Sequence, residues 1–164
     1  MIRRRGMAAH GAAVATLLVA VVLSGLAVAD EIPLEKRGAI FMVAGQINDQ
    51  VTKYFIVDSG ASEVSIPAQV VARLLPGTLR PDDFLGGATY RLADGRTVNS
   101  NRFRIRTLRI GHTTFRDVTA SIAEPGSPLL LGQSVLGRVS SWRIDNNRRV
   151  LVLEAESKGA SRRR

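Results

Sequence analysis

The chain contains no cysteine, which excludes disulfides, thiolate catalysis and any cysteine-based zinc site. Histidine is nearly as scarce. Of the two in 164 residues, only His112 lies beyond the first 29. A multi-histidine metal site is therefore excluded, and a Ser-His-Asp triad would have His112 as its sole candidate base. Aromatic residues make up 5% of the chain, too few to interleave with basic side chains as a base-stacking surface. Acids are also short, 14 against 23 Lys and Arg, for a net charge of +9. That excess is mostly terminal. Three charges sit in Arg3–Arg5 and a net three in residues 156–164, which leaves an ordinary balance of +3 between them.

What is present divides the chain in order. Residues 1–29 read as a signal peptide or an N-terminal membrane anchor: Arg3–Arg5 form a basic start and Gly11 to Leu26 an apolar stretch. Ala27-Val28-Ala29 then offers an A-x-A cleavage site before Asp30 and Glu31. An uncleaved anchor stays open because the apolar run approaches the ~18–20 residues that span a bilayer. Both outcomes put the domain in the periplasm or on the extracytoplasmic face of the membrane. Residues 30–37 read as a short charged lead-in, 38–155 as one domain with its own core, and 156–164 as a basic disordered tail.

Within the domain, strand formers from Ala39 to Ile47 and from Val51 to Val57 flank the turn Asn48-Asp49-Gln50 and predict a hairpin that ends at Asp58. A brief strand leads to Pro67, followed by a short helix from Ala68 to Leu75 stopped by Pro76-Gly77. Arg80 to Phe84 and Gly86-Gly87 read as loop. Ala93-Asp94-Gly95-Arg96 between Thr89–Leu92 and Thr97-Val98 predicts a second hairpin. Arg102 to Arg106 alternates strictly, with a phase slip near Thr107 that predicts a β-bulge before Leu108 and Ile110. Val118, Ala120 and Ile122 form another strand after a turn at Gly111–Thr114. Leu129-Leu130-Leu131-Gly132 reads as a strand buried on both faces, Gln133 to Val139 as one or two helical turns, and Trp142–Ile144 and Val150–Leu153 as a final pair of strands. The fold class is mainly β, with one or two short helices.

Three constellations carry chemistry. Gly132-Gln133-Ser134-Val135-Leu136-Gly137 approaches the G-x-S-x-G nucleophile elbow, but Leu136 stands where the second glycine belongs; Ser134 reads better as a helix-start residue. Arg102, Arg104, Arg106 and Arg109 read as the solvated outer face of a sheet rather than a nucleic-acid surface. Asp58 is the third. An acid at the end of a buried strand is costly unless it is hydrogen-bonded or kept for a purpose. The plainer reading is a turn aspartate bonded to its own backbone; the functional one is a catalytic carboxylate.

The context of Asp58 decides between them. Phe55-Ile56-Val57-Asp58-Ser59-Gly60-Ala61-Ser62, a hairpin further on, and Leu130-Leu131-Gly132 before a helix together resemble the retropepsin-like aspartic proteases, single-lobe relatives of pepsin, over about residues 38–153. The exported bacterial members are the nearest in layout. The resemblance implies a closed β-barrel lobe with a flap hairpin, and Asp58 as the catalytic residue of an aspartic endopeptidase. Ser59, Gly60 and Ala61 would support the active-site loop, with the Ser59 hydroxyl bonding across to a partner loop. Ala93, Asp94 and Gly95 would form the flap tip over an extended peptide or protein substrate, and Leu130, Leu131 and Gly132 the scaffold behind the site. The chain holds one such aspartate where the chemistry needs two carboxylates, so a homodimer with a shared Asp58 pair is implied, with Val150–Leu153 helping to form its interface. Neither metal nor cofactor is expected, and no nucleic acid. A non-cleaving peptide-binding module of the same fold is the alternative.

Overall fold

The computed structural model of the chain describes residues 29–74 and 76–154. The N-terminal segment before Ala29 and the basic tail lie outside these residues. Ten strands and two short helices follow in order: β1 (Ala29–Arg37), β2 (Ile40–Ile47), β3 (Val51–Val57), β4 (Val64–Pro67), α1 (Ala68–Leu74), β5 (Phe84–Arg91), β6 (Thr97–Ile110), β7 (Thr113–Ala123), β8 (Leu130–Leu131), α2 (Gln133–Leu136), β9 (Ser141–Asp145) and β10 (Val150–Glu154). A 3-10 turn over Pro81–Asp83 precedes β5.

The sheet runs β5-β6-β7-β4-β8-β3-β2-β1-β10-β9, and β2 pairs a second time with β6. That extra pairing closes β6, β7, β4, β8, β3 and β2 into a ring, the barrel-like lobe expected from the sequence. Gly45 makes the closure possible. It lies opposite Ile110, and a Cβ there would fall 2.7 Å from the Ile110 side chain and 2.8 Å from the Phe55 ring. The interior is filled by alternating apolar residues of the ring strands, among them Phe55, Ile66, Phe103, Ile105, Leu108, Ile110 and Leu131, all fully buried. Each such side chain contributes on the order of 2 kcal/mol when removed from water.

Several expectations change. Residues 30–37 are not a lead-in but most of β1. Its first half pairs with β10 and its second half with β2, and Ile32 and Leu34 enter the core on alternate positions. Phe84 to Gly87 is strand rather than loop. A register shift between Phe84 and Gly86, with Gly86 at φ +78°, forms a bulge at the base of the β5–β6 hairpin. The slip near Thr107 is present in the burial pattern, yet β6 and β7 keep one register on both sides of it. Arg106 and Asp117 both drop out of the ladder opposite each other, and Asp117 takes a left-handed φ of +49°. Two matched irregularities replace the single inserted residue.

The arginine face also differs from a solvated one. Arg104 and Arg106 reach the buried Asp83 at 3.3 and 3.8 Å, and Arg109 bonds Gln46 at 3.1 Å. Finally, β10 lies between β1 and β9. Both of its edges are paired within the chain, so it has no free backbone edge with which to build a partner interface.

Candidate active site

Phe55, Ile56 and Val57 form the end of β3 because three strand-forming residues can bury against β2 on one side and β8 on the other. Strand β8 is only two residues long, yet it is wedged between the strands before and after the Asp58 turn. Leu130 and Leu131 pair in parallel with Ile56 and Val57, and Leu130 also faces Ser65 of β4. The amide of Asp58 donates to the Leu131 carbonyl at 3.1 Å. The start of the turn is thus fixed by the backbone of β8, which is not buried on both faces as its apolar run suggests: Leu131 enters the core while Leu130 is half-buried at the cleft.

The turn carries features of both readings weighed for Asp58. The Gly60 amide donates to Asp58 Oδ1 at 2.9 Å, which is the local bond of a turn aspartate. This bond occupies one carboxylate oxygen. Among the described residues, Oδ2 receives no hydrogen bond within the chain, and Asp58 borders a cleft of ≈ 670 Å³. A Cβ on Gly60 would stand 3.3 Å from Oδ1, tighter than ordinary contact, so glycine lets the backbone close onto the carboxylate. Ser59 is exposed, and its hydroxyl has no partner within the chain among the described residues.

Gly132 and α2 hold the turn from behind. A Cβ on Gly132 would lie 2.2 Å from the Glu63 carbonyl oxygen and 2.6 Å from that of Ala61. The Gln133 amide donates to the Ala61 carbonyl at 2.8 Å, and Gln133 Nε2 donates to the Ser59 carbonyl at 2.9 Å. The Ser134 hydroxyl accepts from the Val64 amide at 2.9 Å and donates to the Thr119 carbonyl at 2.8 Å. A serine engaged on both counts is a brace between strands, not an activated nucleophile.

The β5–β6 hairpin forms the roof. Leu92 and Arg96 close its turn, with the Leu92 amide donating to the Arg96 carbonyl at 2.8 Å, and Gly95 takes φ +85°. Asp94 accepts from the Arg96 amide at 2.9 Å and from its guanidinium at 2.6 Å; these bonds hold its carboxyl below the usual carboxylate range. Leu92, Ala93 and Arg96 line the cleft, and Asp94 and Gly95 at the outer end of the turn are not part of its lining. Leu92, Val98, Ile122 and Leu130 supply apolar wall to the cleft.

Sequence reasoning did not single out Glu63 or Tyr90, and it read Arg102 only as part of a solvated basic face. Tyr90 donates to Glu63 Oε2 at 2.6 Å, and Arg102 lies 3.8 Å from Glu63 Oε1. Burial and the bond to Glu63 push the Tyr90 phenol up. The available signal was the position of Glu63, a second carboxylate in the loop that carries Asp58. Among the described residues, no group of three or more His, Asp or Glu side chains is placed to hold a metal ion.

Residues 43–138 match the model of a family described as gag-polyprotein putative aspartyl protease. The matched stretch contains the Asp58 turn, the hairpin roof and the Leu130–Gly132 support. Among solved structures, the chain is similar to a retropepsin-like aspartic protease from Rickettsia conorii, with 22% identity, coverage of 77% of this chain and 92% of that one, and a TM-score of 0.58. No curated protein matches the chain in sequence.

Proposed function

The chain belongs to the gag-polyprotein aspartyl protease family, and on that premise we propose that it is an aspartic endopeptidase whose active site is an Asp58 pair shared by two copies. The observation that carries this reading is the state of the Asp58 carboxylate. One oxygen is pinned by the Gly60 amide and the other has no hydrogen-bond partner among the described residues, at the border of an open cleft under a hairpin. A single such carboxylate is half of the required machinery. A two-fold axis through the loop supplies the other half, and the unpartnered Ser59 hydroxyl is available to bond across it.

The chemistry then follows from two carboxylates too close together to be ionised at once. One keeps a proton and donates it to the oxygen of the scissile carbonyl. The other accepts a proton from the water that the pair holds, and that water oxygen bonds to the carbonyl carbon. Collapse of the tetrahedral diol breaks the C–N bond as the amine nitrogen takes a proton from the protonated carboxyl and a diol hydroxyl returns its proton to the other carboxylate. Ala93, Asp94 and Gly95 form the tip of a flap that closes over the peptide and excludes water. The substrate lies extended, matched by backbone hydrogen bonds and by the apolar wall of the cleft. Leu130, Leu131 and Gly132 serve as the rigid support.

Export belongs to the same proposal and is supported by the basic start, apolar run and A-x-A site of residues 1–29. The test is cleavage of a diverse peptide library by the purified domain, with Asp58→Asn as the control. Loss of cleavage in that variant with dimer formation intact is expected. Undiminished cleavage by Asp58→Asn sinks the reading, and no cleavage by the wild type favours a peptide-binding module.

A further inference from the structure

Glu63 has a second relationship to the site. Its backbone is locked against the support: the carbonyl faces Gly132 at a distance that excludes any side chain there, and the next amide is held by Ser134. Its side chain, by contrast, points to the roof and engages both strands of the hairpin. Oε2 accepts from Tyr90 of β5 at 2.6 Å. Oε1 faces Arg102 of β6 at 3.8 Å, and the Nε of Arg102 is buried with no acceptor.

The two attachment points stand at different heights on the hairpin. Tyr90 pairs with Val98 near the turn, and Arg102 pairs with Gly86 at the base. Gly86 is the bulge residue, with φ +78° and a break in the ladder register at the base of the hairpin. The Arg102 contact therefore sits beside the bulge, and the Tyr90 bond joins the outer half of the hairpin to the loop that carries Asp58. The Tyr90 bond has the short length of a hydroxyl bonded to a carboxylate. Both of its residues line the cleft, so the hairpin cannot lift without breaking it.

We propose that Glu63 is a positioning residue that latches the hairpin over the cleft through Tyr90, coupling flap closure to the loop that carries Asp58. This rests on the aspartic-endopeptidase reading for its catalytic consequence, but not for its mechanical one. With the latch made, the free protein keeps the hairpin in the closed arrangement that a peptide requires. With it broken, the closed fraction falls and the apparent affinity falls in proportion. Turnover is changed little, because a bound peptide itself holds the hairpin down.

The test uses the full chain, Tyr90→Phe and Glu63→Gln, with hydrogen exchange of the amides in residues 88–99 and steady-state cleavage measured on each. Tyr90→Phe keeps the ring and removes only the hydroxyl, so it remains informative if Glu63→Gln folds poorly. Exchange in that segment is expected to rise about 10- to 100-fold in Tyr90→Phe, the range for losing one charge-assisted bond. KM is expected to rise in the same direction while kcat stays within about two-fold. Unchanged exchange in Tyr90→Phe overturns the latch, and so does a fall in kcat with KM unmoved. Faster exchange in a protein whose wild type cleaves nothing keeps the latch and rejects the endopeptidase alone.

Discussion

Gly132 and Glu63 are in contact so close that the first admits no side chain: a Cβ on Gly132 would fall 2.2 Å from the carbonyl oxygen of Glu63. The support behind the Asp58 turn is therefore a backbone-to-backbone contact rather than a side-chain packing one. Its φ is not in the left-handed region, so the requirement for glycine here is space alone. Gly132→Ala is expected to destabilise the domain by at least about 2 kcal/mol, as overpacking of a closed site does. Urea unfolding of the variant against wild type reads this directly. Peptide cleavage should fall with it, since the displaced atoms belong to the loop that carries the acid.

Asp83 is buried to 1% exposure and answers for much of the basic face of β6. It accepts from the Arg80 amide at 2.9 Å and faces Arg104 and Arg106 at 3.3 and 3.8 Å. Asp83→Asn keeps the shape and removes the charge. Because both arginines are about a third exposed to water, the loss is discounted from that of a fully buried pair, to about 1–3 kcal/mol. Chemical denaturation checks the value, and an unchanged midpoint would show that the arginines are solvated as independently as the bare sequence pattern implies.

Tyr90 gives a pH dependence of definite sign. Burial first, and then its bond to Glu63, raise the folded-state value of the phenol. A raised value means that the protonated form is favoured by folding. Its contribution is complete below the ordinary phenol value of about 10 and is lost as the pH rises through the folded one. The ultraviolet titration of the wild type should therefore show a phenol that ionises late, and Tyr90→Phe should remove that component. A Tyr90→Phe titration that still contains the late component would assign it elsewhere.

The parts of the fold legible in the sequence are those in which local chemistry and the tertiary role agree. Val51–Val57 is strand by composition and by burial, Asp94-Gly95 is a hairpin tip by turn chemistry, and Leu130-Leu131-Gly132 is an apolar strand closed by a residue with no room for a side chain. Elsewhere the two part. In β1 the period-2 signal consists of Ile32 and Leu34 alone, surrounded by Asp30, Glu31, Glu35, Lys36 and Arg37. The strand owes its order to two neighbours, β10 and β2, that a local window does not contain. Phe84–Gly87 looks like loop because two glycines carry a bulge inside a strand. The Glu63–Tyr90 bond joins residues 27 apart through the curvature of the hairpin, and no spacing rule reports that.

The proposed Asp58 pair is tested most directly by subunit mixing. Wild-type and Asp58→Asn chains are combined in varying ratio at constant total concentration, allowed to exchange partners, and assayed for peptide cleavage. If each site needs an intact Asp58 from both copies, only wild-type pairs cleave, and equal mixing leaves about a quarter of the activity under random pairing. If each chain works alone, equal mixing leaves about half of it and the activity falls in simple proportion to the wild-type fraction. A site shared by two copies gives the squared dependence; a linear one contradicts it.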